Sequence, residues 1–274
     1  MKKVAVIGLG IIGGSVSGAL TSAGYSVDGF DINEKNVRYA QETGYIQGIA
    51  EDTAQYDVVF LAIPPKATMQ YLREGAFKNG ALVMDVCGVK QAPERAVAEK
   101  DRAYRYVGLH PMAGKETSGI QSASPTLFQR ANIVVTVNAS TSQESLDEAL
   151  EYVQEMGFGN IVLCSAEEHD RKIALTSQLA HIVSNAYVKS EQVRECDGFT
   201  GGSFQDMTRI AGVDETIWTQ LYFCNREYIL EELKGLIQEL NVYKEALENE
   251  DSQALSDALK EGRLIRQKIK RPND

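Results

Sequence analysis

The chain has 274 residues, 43% apolar and 24% charged, a globular composition with room for one large domain or two ordinary ones. Its formal charge of −10 excludes a general nucleic-acid or anionic-membrane surface, since both need basic patches, and no apolar run reaches the roughly 18 residues that would cross a bilayer. The four cysteines, Cys87, Cys164, Cys196 and Cys224, lie far apart with no zinc-like spacing, so the sequence predicts reduced thiols, no metal site and a cytoplasmic location.

The chain opens on an apolar run, Lys3 to Ile7, that passes into Gly8-Leu9-Gly10-Ile11-Ile12-Gly13 and an amphipathic stretch from Ile11 to Ala23. Strand, glycine turn and helix in that order form a dinucleotide fingerprint. The first glycine permits the turn, the second lets a pyrophosphate approach the backbone, and the third lets the helix pack on the strand. The pyrophosphate then sits on unpaired amides at the positive end of the helix. A second run, Ser26 to Asp31, ends in a carboxylate that suits ribose hydroxyls and repels a 2′-phosphate, and Ile32 and Asn33 bring no cation, so NAD is favoured over NADP. The alternative is that Asp31 caps the helix predicted from Glu34 to Glu42. A third run, Asp57 to Ile63, leads into Pro64-Pro65; Ile63 and Pro64 are expected to wall the ribose and nicotinamide site, and read equally as an ordinary stiff loop.

Further runs, Ala81 to Val86, Arg105 to Leu109, Asn132 to Val137 and Asn160 to Leu163, alternate with helix-like segments, Lys66 to Arg73, Lys90 to Glu99 and Gln143 to Met156. Strands this apolar are buried on both faces, and the alternation predicts an α/β Rossmann-type domain with a doubly wound, mostly parallel sheet over residues 1–165. His110, one of three histidines, follows the run ending at Leu109 and so falls at the ligand-binding edge of that sheet. There it is expected to act as catalytic base or acceptor toward a substrate hydroxyl while hydride leaves the same carbon; a structural strand-end histidine is the alternative.

From Ser165 the strand signal stops, and residues 166–274 are predicted to be all-α. Ala166 to Val193 reads as one long helix, on which Ala174, Gln178, His181 and Asn185 share a polar face toward a cleft and Leu175, Leu179 and Ile182 lie on the apolar face. His169 with Asp170 reads as a capping feature at its start. Farther on, Ile229, Leu233, Leu236, Leu240, Tyr243 and Leu247 form a seam at steps of four and three, and a last helix is predicted from Asp251 to Lys270. The seam packs within the chain or against a twin subunit; a homodimer through the helical domain is expected.

GLGIIGGS near the start, DVCGVK from Asp85 to Lys90, HPMAG from His110 with ETSG close behind, EEHDRKIALTSQLAH from Glu167 to His181, and SFQDMTRIAG from Ser203 with Trp218 beyond it occur in one order. This order resembles the prephenate/arogenate dehydrogenase family of tyrosine biosynthesis over essentially the full chain. The resemblance implies oxidative decarboxylation of prephenate to 4-hydroxyphenylpyruvate, or of its amino counterpart arogenate to tyrosine, with NAD(P) and a helical dimerisation domain. It makes His110 the acceptor of charge from the ring hydroxyl, His181 and its neighbour Gln178 substrate contacts, and Arg209 the partner of a substrate carboxylate. Two positions depart from the family pattern. Gly88 stands where many members carry a serine that hydrogen-bonds the catalytic histidine, so another group must orient His110, and Gln178 stands where many carry histidine. The choice between prephenate and arogenate stays open on these grounds. Another Rossmann reductase of the β-hydroxyacid type would want a catalytic lysine, and Lys172 and Lys189 fall off the Gln178–His181 face; an NAD-sensing protein would need the glycines but not His110, His181 and Arg209 in one cleft.

Overall fold

A computed structural model describes residues 2–115 and 117–269. Glu116, in the loop after HPMAG, and Lys270, the expected end of the last helix, lie outside the described residues. The apolar runs become β1 (Val4–Ile7), β2 (Val27–Phe30), β4 (Val58–Leu61), β5 (Leu82–Asp85), β6 (Arg105–Pro111), β7 (Asn132–Thr136) and β8 (Asn160–Cys164), joined by a two-residue strand, β3 (Gly48–Ile49), too short to register as a run. They make one sheet in the order β3-β2-β1-β4-β5-β6-β7-β8. All neighbours pair parallel except β6 and β7. Every residue of β1, β4 and β5 is buried, as strands covered by helices on both faces must be.

The alternation along β1 sorts the core into two layers. Val4 and Val6 pack with Val16 and Leu20 of α1 (Ile11–Ser22), Val37 of α2 (Glu34–Glu42) and Val153 of α5 (Gln143–Glu155). Ala5 and Ile7 point the other way, toward Leu72 of α3 (Pro65–Glu74) and Val97 of α4 (Gln91–Ala98). Each fully buried valine or leucine here stabilises the fold by about 1.5–3 kcal/mol relative to exposure.

Two features of the sheet position a site. The strand order reverses between β1 and β4, which opens a crevice at their C-terminal ends. Strand β6 also outruns β5: Asp85 pairs with Gly108, and β6 continues through Leu109, His110 and Pro111, held only by antiparallel β7, where His110 faces Val134 in register. His110 is therefore carried beyond the end of the parallel sheet.

After β8 come α6 (Ala166–Ile173), one turn of π-helix (Ala174–Leu179), α7 (Ala180–Tyr187), α8 (Gly202–Thr208) and α9 (Glu215–Cys224). Instead of one helix through Val193, the chain breaks after Tyr187, and Glu191–Glu195 form a separate 3₁₀ turn. These helices cluster with the sheet in one compact unit that ends at Asn225, so compactness divides the chain later than the change from strand to helix. The second unit, from Arg226, contains α10 (Arg226–Glu248) and α11 (Ser252–Lys268), the latter capped by the Asp251 carboxylate on the Ala254 amide. Ile237, Leu240 and Leu247 on α10 and Leu259 and Ile265 on α11 are exposed. Among the described residues no helix is long and apolar enough to cross a membrane, and no cluster of three or more His, Cys, Asp or Glu side chains is placed to hold a metal ion.

Candidate active site

The glycine turn is tight at two points and open at the third. Gly8 adopts a φ of +92°, and a Cβ there would stand 2.3 Å from the Ala62 carbonyl oxygen; a Cβ on Gly13 would stand 1.8 Å from that of Gly8. A Cβ on Gly10 would meet nothing within 4 Å. Gly10 is the N-cap of α1, and no side chain caps that helix. The result is a backbone cradle at a positive helix end, the shape and charge a pyrophosphate needs. Leu9, its side chain buried, donates its amide to Asp31 Oδ2 at 2.7 Å, and Asn33 donates to Oδ1 at 2.8 Å. Asn33, not Asp31, caps α2, accepting from the Lys35 amide. Each Asp31 oxygen accepts one of these bonds and retains a lone pair for a ribose hydroxyl. Ile63 reaches within 2.7 Å of where a Gly8 Cβ would be, Pro64 is the N-cap of α3, and Ile11 and Ile12 open α1. The residues expected to hold the dinucleotide thus gather at the ends of β1, β2 and β4.

His110 stands at the head of a buried hydrogen-bonded chain. Its Nδ1 lies 2.7 Å from His169 Nε2, and His169 Nδ1 lies 2.7 Å from Asp170 Oδ1. The Asp170 carboxylate accepts the backbone amides of Lys90 at 2.7 Å and Gln91 at 2.9 Å. A carboxylate only accepts, so the His169 proton sits on Nδ1, its Nε2 accepts, and His110 donates from Nδ1. The lone pair of His110 then resides on Nε2. Burial, and then the neighbouring His169 and Lys90, hold the His110 imidazole well below its ordinary 6.5, so it is neutral and able to accept. Burial also lowers His169, against the opposing pull of Asp170. A Cβ at Gly88 would stand 3.8 Å from His110 Nε2 and 3.3 Å from Leu221 of α9. Adjacent Cys87 is no rival for chemistry, because burial and Asp85 push its thiol up to about 12.

The DVCGVK segment underlies this arrangement. Lys90, wholly buried, donates from Nζ to Asp85 Oδ1 at 2.5 Å and to the Leu109 carbonyl at 2.6 Å, and the Tyr106 hydroxyl donates to Asp85 Oδ2 at 2.6 Å. The ion pair thus ties the end of β5 to the residue before His110.

His110, His181, Arg209 and Trp218 line one cavity of about 900 Å³ together with Ile11 from the first turn of α1. His181 donates from Nδ1 to the Ser177 carbonyl at 2.9 Å, and its ring lies tilted against Trp218 with centroids 4.0 Å apart and 36° between planes. Gln178, the expected substrate contact, does not line this cavity: its side chain is buried, with Oε1 accepting from Asn225 at 2.6 Å. The π turn is the cause. With i→i+5 bonding it winds more slowly than an α-helix, so the predicted face does not hold. Ala174 and Gln178 turn inward, Leu175 turns outward, and Ile173, Ser177 and His181 line the cavity. Lys172 is exposed and paired with Glu168, and neither it nor Lys189 lines the cavity.

Residues 16–163 match the family model described as the nucleotide-binding domain of prephenate dehydrogenase, and residues 165–261 match the one described as its dimerization domain. The chain belongs to the prephenate dehydrogenase family. A prephenate dehydrogenase of Lactococcus lactis is 29% identical over 97% of this chain and 77% of its own length. A cyclohexadienyl dehydrogenase of Zymomonas mobilis is 27% identical over 100% of this chain and 98% of its own. Among solved structures, prephenate dehydrogenase of Aquifex aeolicus in complex with hydroxyphenyl propionate and NAD+ superposes with a TM-score of 0.84 at 26% identity, covering 98% of this chain and 99% of that one. His169, expected as a capping feature, is bonded to His110 instead. The cap of α6 is Ser165, which accepts from the Glu168 amide at 3.1 Å.

Proposed function

We propose that the protein catalyses NAD-dependent oxidative decarboxylation of prephenate, with His110 accepting charge from the ring hydroxyl. The observation that carries this reading is the His110 Nε2 lone pair at a cavity that also holds His181 and Arg209 and reaches the glycine turn through Ile11. NAD, when bound on Gly10 and Asp31, supplies the hydride acceptor. As hydride leaves the carbon bearing the hydroxyl, His110 stabilises the charge growing on that group, and the bond to the ring carboxylate releases carbon dioxide and leaves its electron pair in the aromatic product. Arg209 offers a planar donor fork to a substrate carboxylate, and the His181 ring, tilted against Trp218, adds a polar group to the cavity wall.

Prephenate is preferred to arogenate because arogenate adds an ammonium. Among the described residues the cavity offers an ammonium a single carboxylate, Asp214, part of whose acceptor capacity goes to the α9 cap through the Ile217 amide at 2.9 Å. Purified protein offered each substrate separately should form NADH faster with prephenate. His110→Ala should lower kcat by roughly 10²–10⁴-fold with NAD binding retained. Absence of turnover with both substrates would overturn the reading.

The same reading makes the protein a homodimer. Its support is the exposed apolar row on α10 and α11 and the match of residues 165–261 to a dimerization domain.

A further inference from the structure

We infer that Asp170 and His169 form a positioning pair that fixes the tautomer and ring orientation of His110 from its Nδ1 side, with no hydroxyl at position 88. The inference rests on the proposed role of His110 but not on which substrate it meets. Three observations carry it. The chain of bonds has a direction: it ends on a carboxylate anchored by two backbone amides, so every ring proton points toward Asp170 and the only lone pair left on the last ring is at His110 Nε2. The pair is also dry, with His169 2% exposed and Asp170 0%, so no bulk water replaces either partner. Finally, Gly88 lies on the Nε2 side of the ring, a Cβ there standing 3.8 Å from Nε2, and it bears no side chain to compete for that lone pair. Positive charge arriving on His110 as it takes up a proton would face a neutral ring backed by a buried carboxylate. That arrangement orients the ring without a second titrating group at the substrate.

With only three histidines, the full-length protein labelled with ¹⁵N-histidine can be read ring by ring by NMR. At neutral pH, His110 and His169 should both carry their proton on Nδ1 with Nε2 bare; a proton on His110 Nε2 instead would overturn the inference. This measurement needs no turnover. A protein with the expected tautomers that oxidises neither prephenate nor arogenate would sink the proposed function and leave the positioning pair standing. In the active enzyme, His169→Phe keeps a flat ring but removes the acceptor. It should lower kcat about 10²-fold, leave KM and NAD affinity within about threefold, and give His110 a mixed tautomer. His169→Gln can accept from His110 and donate to Asp170, and should recover most of kcat. Wild-type kcat in His169→Phe, or no advantage of glutamine over phenylalanine, would overturn the assignment. If the phenylalanine variant fails to fold, the wild-type spectrum and the glutamine variant still decide it.

Discussion

Two imidazoles whose protonation is suppressed by burial also make stability depend on pH. In the unfolded chain both titrate near about 6.5, while in the folded chain His110 and His169 lie lower. The sign follows from proton counting: as pH falls below about 6.5 the unfolded state binds protons that the native pair refuses, so stability is full above that value and is lost toward lower pH. The groups facing the pair are Lys90, which disfavours protonation, and Asp170, which favours it on His169; Asp85 is bonded to Lys90. The melting temperature should fall between about pH 7.5 and 5.5, and replacing both rings by glutamine should flatten that slope. On the proposed role of His110, activity should hold to lower pH than an ordinary histidine base would allow, because its neutral form persists there. His110 was legible in the sequence from its place after a strand. Its partner was not, since nothing in Glu-Glu-His-Asp at a helix start says that two of these side chains are nearly inaccessible.

Elements divide in the same way between what spacing reveals and what winding decides. The glycine turn was readable because each glycine has a separate steric reason, and those reasons predict separable effects. Gly10→Ala should leave the melting temperature unchanged while weakening NAD binding by tenfold or more, since its methyl would enter open space where the pyrophosphate approaches; a Cβ on Gly13 would collide with backbone. Equilibrium binding beside thermal melting separates the two. The long helix after Ser165 was readable as a helix, but its π turn was not, because that register shift is set by tertiary packing rather than by any residue type. Gln178 shows the result: Gln178→Met should change stability by roughly 1–2 kcal/mol through the lost bond to Asn225 and leave KM for prephenate within about twofold. A KM rise of tenfold without loss of stability would restore Gln178 to the substrate site.

At the scale of the whole molecule, the mostly parallel, helix-covered sheet followed from alternating apolar runs, whereas the strand order, the extra edge strand Gly48–Ile49 and the reach of β6 through Pro111 came only from pairing. The apolar row of the second unit gives the assembly its test. Sedimentation should show a dimer, and Ile237→Glu with Leu240→Glu should shift it to monomer; a monomeric wild type would mean the row is covered in some other way. The bonds that make the site are themselves far apart along the chain: His110 to His169 spans 59 residues, Lys90 to Asp170 spans 80, and Asn225 to Asp170 spans 55. Closing loops of that length costs entropy before any contact rewards it, so these contacts belong to the slow end of folding. A chain emerging from the ribosome would complete its nucleotide cradle long before Asp170 could reach Lys90, and would hold a dinucleotide site with no His169–Asp170 pair behind His110.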